Sequence, residues 1–350
     1  MERKIKRSIL KIILLVTLTA LVTGSSGCDV ISTDSREVLT VFNAGDYINK
    51  TTISDFETEF NIKVEYIEFE TNEEMYDEIV RNPDGYDVLI PSDYMVDRLI
   101  QEGRIAKINS DKIPNISYIA TQYLNPEYDK SNEYIIPYMV GTLGILYNKK
   151  KVSEPVDSWT VLWDSQYRGE ILMWDSMRDT IGPALKMLGY SMNSNNEEEL
   201  KQAKEQLKQQ RSLVQYGGDI IRDKMVAGEG ILAVAYSGDA KTAMDENPNL
   251  GYVIPKEGSN KWVDGFVIMK NTKHTEAAEK FINFMCSPNI AIRNMTRTGY
   301  TSPVFGAWGE FGNNDVMFPT EEELSRCETF LYNKEATRQY EKIWSEIRSN

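Results

Sequence analysis

Residues 38–102 read VLTVFNAGDYINKTTISDFETEFNIKVEYIEFETNEEMYDEIVRNPDGYDVLIPSDYMVDRLIQE, and their hydropathy pattern sets the fold class. Val38, Leu39, Val41 and Phe42 form a short apolar run that reads as a buried strand. Helical spacing follows over 52–60, a second strand over 62–67, a second helix over 72–80, a third strand over 87–90 and a helix over 93–102. Strand and helix in alternation predict a parallel sheet with crossover helices. Ligands of such sheets sit beyond the carboxyl ends of the strands. Those ends carry Asp46 and Tyr47 after the first strand, and Ser92 and Tyr94 after the third.

Downstream, 134–147 holds two apolar runs split by Gly141, and a second α/β stretch runs from about 169 to 236. Strand-like segments return at 251–254 and 265–268. This return predicts two α/β lobes, each a mainly parallel sheet flanked by helices and each discontinuous in sequence. Residues 37–141 and 260–306 make lobe 1, and 142–259 and 307–350 make lobe 2. The crossings fall near Gly141 and Ser259, and a ligand would sit in the cleft between the lobes.

Upstream, Arg3, Lys4, Lys6, Arg7 and Lys11 precede an apolar run over 12–22. That run is too short for the ~20 helical residues that span a bilayer, so residues 1–27 read as an export signal. Small residues 24–27 lead into Cys28, as in the lipobox of bacterial lipoproteins, although Ser25 stands where Leu is usual. Cys28 is therefore expected to carry lipid, with 28–36 as a tether on the outer face of the cytoplasmic membrane.

The whole chain has 350 residues, with 53 acidic against 39 basic side chains and a net charge of −14. Removing 1–27 takes away five basic groups and one acid and leaves a net of −18. Such an acidic chain does not suit a nucleic-acid backbone, which needs a basic face. Three cysteines without a CxxC pair and a single histidine exclude a zinc ribbon or a His-based metal cluster. His274, in a polar stretch leading into a helix, reads as a surface residue. Cys286 reads as a small core residue rather than half of a bridge to Cys327. No metal or cofactor is expected.

The residues at the predicted strand ends repeat one theme, an Asp beside a Tyr or Trp. Asp46 with Tyr47, Tyr94, Asp179, Tyr236 with Asp239, and Trp262 with Asp264 all fit it. A ring face attracts a cation by about 0.5–2 kcal/mol, and a carboxylate adds a charge-assisted hydrogen bond of roughly 1.5–3 kcal/mol. Aromatic walls with acids at their ends suit a flexible aliphatic ligand bearing ammonium groups. Taken singly, each aromatic could instead be core and each Asp a helix cap.

The segments 41–48, 86–94, 136–142, 158–163, 185–190, 236–240, 253–258, 262–264 and 299–303, in this order and spacing, resemble the spermidine/putrescine-binding proteins of bacterial ABC importers. The resemblance implies the two-lobed periplasmic-binding-protein fold and delivery of a polyamine to a membrane permease and ATPase by a monomer without catalysis. It implies ligand contacts from Asp46, Tyr47, Ser92, Tyr94, Asp179, Tyr236, Asp239, Trp262 and Asp264, with Asp175, Ser176 and Tyr300 as further candidates. Three positions depart from the pattern. Ala44 stands for a Trp, Ser176 for an acid, and Phe330 or a neighbour for a Gln. Other readings are a solute-binding protein of similar fold for thiamine, a sugar or ferric ion, and an exported hydrolase using Asp175 and Asp179.

Overall fold

The computed structural model describes residues 35–349 apart from 219 and 315. The export signal and Cys28 therefore lie outside the described residues. The opening stretch forms β1 (Glu37–Ala44), which lies between β2 (Ile62–Phe69) and β3 (Val88–Leu89) in parallel register. Their crossovers are α1 (Lys50–Phe60) and α2 (Asn72–Arg81), and α3 (Asp93–Gln101) follows β3. β1 is apolar on both faces because both are covered. Leu39 and Val41 pack with Phe56, while Phe42 packs with Phe69, Met75 and Leu89 on the other side. β2, at the sheet edge, alternates buried Ile62 and Val64 with exposed Lys63 and Glu65.

After β4 (Ile105–Ala106), the chain enters the longest strand, β5 (Ile136–Asn148). The two apolar runs either side of Gly141 lie in this one strand. The second α/β stretch comprises β6 (Ile171–Trp174), α4 (Met177–Met187), α5 (Glu197–Gln210), β7 (Val214–Gly217), α6 (Ile220–Ala227) and β8 (Leu232–Tyr236). Next come α7 (Ser237–Glu246), β9 (Leu250–Val253) and β10 (Lys261–Met269). The chain ends with α8 (Thr275–Met285), α9 (Pro288–Thr298), α10 (Glu321–Ser325) and α11 (Lys334–Ser349).

The strand order is β2-β1-β3-β10-β5-β8-β6-β7. The outer strands pair parallel, whereas β5 and β10 run antiparallel to their neighbours. These two strands carry the sheet from one half to the other. β5 pairs with β10 through Thr142 and with β8 from Leu143 onward, and β10 passes on to β3 at Val267. Gly141 sits at this crossing for a steric reason. A Cβ there would lie 2.4 Å from the Trp262 ring and 2.8 Å from Ser237 Oγ.

Cores form on both sides of the crossing. Phe56, Phe266 and Phe281 stack edge to face in the first half, and each buried ring contributes about 1.5–3 kcal/mol. Trp159, Leu162 and Met173 anchor the second half. Ala307 and Met317 lie in the first core, with Trp308, Phe311 and Phe318 against it. Only further along does α11 join α4 and α5, through Tyr340, Ile343 and Ile347. Cys286 and Cys327 are both buried and free.

Candidate functional site

The loops after β1, β3, β6, β8 and the start of β10 surround a cavity of about 880 Å³. All twelve residues singled out in the sequence line it: Asp46, Tyr47, Ser92, Tyr94, Asp175, Ser176, Asp179, Tyr236, Asp239, Trp262, Asp264 and Tyr300. They come from both halves of the sheet. Sequence reasoning missed Glu73, Asp93, Trp174, Arg178, Arg222 and Arg297, which also line it.

Four helices open at the cavity, and each places an acid in its first turn: Glu73 in α2, Asp93 in α3, Asp179 in α4 and Asp239 in α7. A helix N-terminus carries about half a positive charge and ordinarily attracts anions. Here the chain's own carboxylates take that role. The cavity consequently counts nine acidic side chains against three basic ones, which favours cations and repels anions.

Asp264 lies on β10, where the pairing with β5 is irregular between Asp264 and Gly265. Its Oδ1 is shut off from solvent and has no formed hydrogen bond among the described residues. Burial pushes its carboxyl up to about 6, against the neighbouring Ser92 and Tyr47 hydroxyls, which favour the ionised form. Tyr47 Oη and Trp262 Nε1 are likewise buried without a formed hydrogen bond. The neighbouring Asp93 has a structural task. It accepts from the backbone N–H of Tyr94 at 2.7 Å and of Val263 at 3.3 Å, tying α3 to β10. Burial drives Asp93 up to about 8, opposed by the Tyr94 N–H and reinforced by the Asp264 charge, so it is largely protonated at neutral pH.

A second acidic focus comes from both halves. Asp179 accepts from Ser176 Oγ at 2.6 Å and Tyr236 Oη at 2.7 Å. Tyr94 Oη donates to Glu73 at 3.0 Å. Burial raises both acids, opposed at Asp179 by the two hydroxyl donors and then Arg178, and at Glu73 mainly by Arg178. The Arg178 guanidinium lies 4.3 Å from the Tyr94 ring centre and donates to Thr337 at 3.3 Å. Burial also raises the phenols of Tyr47, Tyr94, Tyr236 and Tyr300, so they remain protonated donors.

Aromatic rings join the two foci. Trp262 contacts Tyr300 at 5.4 Å and Tyr236 at 6.4 Å, and Trp174 lies 4.9 Å from Tyr236. Trp174 thus supplies an indole in a cavity where Ala44 provides none. Tyr300 packs on Gly238, whose Cβ would fall 2.4 Å from the ring, and donates to Asp239 at 3.1 Å. Phe330 closes the Tyr94 side, edge-on at 6.3 Å.

At the rim Asp46 and Asp175 are already paired. Asp46 is held by Arg297, with Arg222 4.0 Å away, and Asp175 by Arg348 at 2.6 Å. The missed residues have physical reasons for hiding. Glu73 sits in a run of acids that looks like a solvated helix face, and Trp174 ends an apolar strand. The three arginines come from separate helices that only the fold brings together. His274 sits away from the cavity, paired with Glu37.

The model of the bacterial extracellular solute-binding proteins matches residues 51–307. The chain belongs to that family. Across 90% of its length and 93% of the relative, it is 32% identical to the spermidine/putrescine-binding periplasmic protein of Escherichia coli (strain K12). Among solved structures, the spermidine/putrescine ABC transporter substrate-binding protein PotD of Streptococcus pneumoniae is 32% identical with a TM-score of 0.77, covering 89% of this chain and 99% of that one. The Tp0655 (TpPotD) lipoprotein of Treponema pallidum is 26% identical with a TM-score of 0.80, covering 90% and 100%. Kinship at this level gives the two-lobed periplasmic-binding-protein fold, the class expected from the sequence, and an extracytoplasmic solute-binding role.

Proposed function

We propose that this protein binds a polyamine of the putrescine and spermidine type in the cavity and delivers it to the permease and ATPase of an ABC importer. One observation carries the reading. Asp264, Tyr47 and Trp262 line the cavity side by side, and Asp264 Oδ1, Tyr47 Oη and Trp262 Nε1 are buried without a formed hydrogen bond among the described residues. An unpaired buried carboxylate is costly, and an ammonium group removes that cost. Its methylene chain would lie along Trp262, Tyr236 and Trp174, and a second ammonium would meet Asp179 and Glu73. A sugar would leave these carboxylates desolvated and unpaired. The names of the relatives point the same way.

In this reading Asp264, Asp179, Tyr47, Ser92, Tyr94, Tyr236, Trp262 and Tyr300 contact the ligand, Ser176 and Asp239 orient their neighbours, and Asp46 and Asp175 serve the rim. The lobes comprise about 37–141 with 260–318, and 142–259 with the remainder, hinged where β5 and β10 cross. The mature protein is a monomer anchored through lipid on Cys28, in keeping with the lipoprotein among its relatives. Calorimetric titration with putrescine, spermidine, thiamine and a simple sugar tests the function. Polyamine binding alone is expected, and sugar or thiamine binding without polyamine binding overturns it.

A further inference from the structure

Among the acids lining the cavity, two sets stand out. At the rim, Asp46, Asp175 and Asp223 already have a resident guanidinium. Arg297 and Arg222 flank Asp46, and Arg222 also holds Asp223 at 3.0 Å. Inside, Asp264, Asp179 and Glu73 take part in no ion pair among the described residues. The interior therefore offers two anionic foci, one at Asp264 and one at Asp179 with Glu73.

We propose that the site selects a diamine over a triamine, with Arg297 and Arg222 acting as the selectivity device. The inference rests on the polyamine reading above. An ammonium arriving at Asp46 exchanges one cation for another and gains little. Asp46 is also half exposed, at 51% of its side-chain surface, so water and salt weaken what attraction is left. At the other end, Arg178 places a fixed positive charge beside Glu73 and Asp179. A third ammonium would meet that charge rather than a free carboxylate. A diamine matches two foci, while a triamine brings a cation that must be desolvated without a free partner. The three arginines thus take the charge that a longer polyamine would otherwise neutralise.

The test is calorimetric titration of the mature chain with putrescine and spermidine at low and moderate salt. The parent should bind putrescine at least about tenfold more tightly than spermidine. Arg222→Ala with Arg297→Ala frees Asp46, and spermidine affinity should then rise about tenfold while putrescine stays within about threefold. Adding Asp46→Asn to that pair should cancel the gain. If the double variant melts far below the parent, Arg297→Gln alone serves, with the same direction and a smaller gain. A parent that binds spermidine as tightly as putrescine, or arginine variants that gain nothing for spermidine, overturns the diamine preference and leaves polyamine binding intact. A parent that binds neither amine removes the polyamine reading and this inference with it.

Discussion

Asp264 and Asp46 both follow the same rule of composition, an acid near an aromatic at the end of a strand, yet they occupy opposite electrostatic situations. Asp264 is enclosed beside Trp262 and Tyr47, with Oδ1 unpaired and its carboxyl pushed up to about 6 by burial. Asp46 sits at the rim between two arginines, half in solvent. The difference shows that an acid becomes a cation receptor through desolvation without a partner, and not through its place in the sequence alone. It also predicts a trade of stability for function. Ionising Asp264 in the empty cavity costs stability that a bound ammonium returns.

The largest effect is expected at the enclosed end. Asp264→Asn should weaken putrescine binding by about 2–5 kcal/mol, the usual loss when one partner of a buried charge pair is removed. Its melting temperature without ligand, at pH 8, should equal or exceed that of the parent. Calorimetry and thermal melts read both quantities. An early-melting variant that binds like the parent would make Asp264 merely a structural residue.

Stability should depend on pH with a defined sign. Unfolded Asp titrates near 4, whereas Asp264 and Asp93 titrate at about 6 and about 8 in the folded empty protein. Between those limits the folded state holds more protons than the unfolded chain, so its stability falls as pH rises through about 4 to 8. Asp264 alone accounts for an amount on the order of 3 kcal/mol. Ligand affinity runs the other way and should weaken as pH falls below about 6, when Asp264 becomes neutral. Urea unfolding across this range, with and without putrescine, measures both slopes.

A smaller loss belongs to Tyr94→Phe, which keeps the ring beneath Arg178 and removes the donor to Glu73. One hydrogen bond to a charged group is worth about 1.5–3 kcal/mol, but Glu73 stays accessible to the ligand, so about 1 kcal/mol of affinity is expected. Asp46→Asn should change putrescine affinity least, within about twofold, because its charge is already spent on Arg297 and Arg222. A loss there as large as at Asp264 would erase the contrast between the two ends.

Much of this was legible in the sequence. The alternation after Val38 disclosed the parallel sheet, and the Asp and aromatic pairs at strand ends led to residues that share one cavity. What stayed hidden depended on long-range neighbours. No local pattern says that Arg297 in α9 and Arg222 in α6 would both reach Asp46. Nor does composition separate Glu73, aimed at Tyr94, from the exposed Glu74 beside it. The long strand through Gly141 was legible, but the reason for the glycine was not, since only the fold brings the Trp262 ring against it. Nor does any local pattern past 306 show that Met317 packs into the core of Phe56 and Phe281.

The desolvated carboxyls make a direct demand on the proton balance of binding. At pH 7 Asp93, at about 8, is mostly protonated, and Asp264, at about 6, retains a small protonated fraction. An ammonium beside them stabilises the charged forms and lowers both values. Putrescine titrations at pH 6, where Asp264 is about half protonated before ligand binds, in buffers of different ionisation enthalpy count the protons exchanged. Release of up to about half a proton per ligand from Asp264 is expected, and it should be lost on Asp264→Asn. Binding with no proton release, or with uptake, would contradict the idea that ligand ammonium groups satisfy carboxyls left unpaired in the empty cavity.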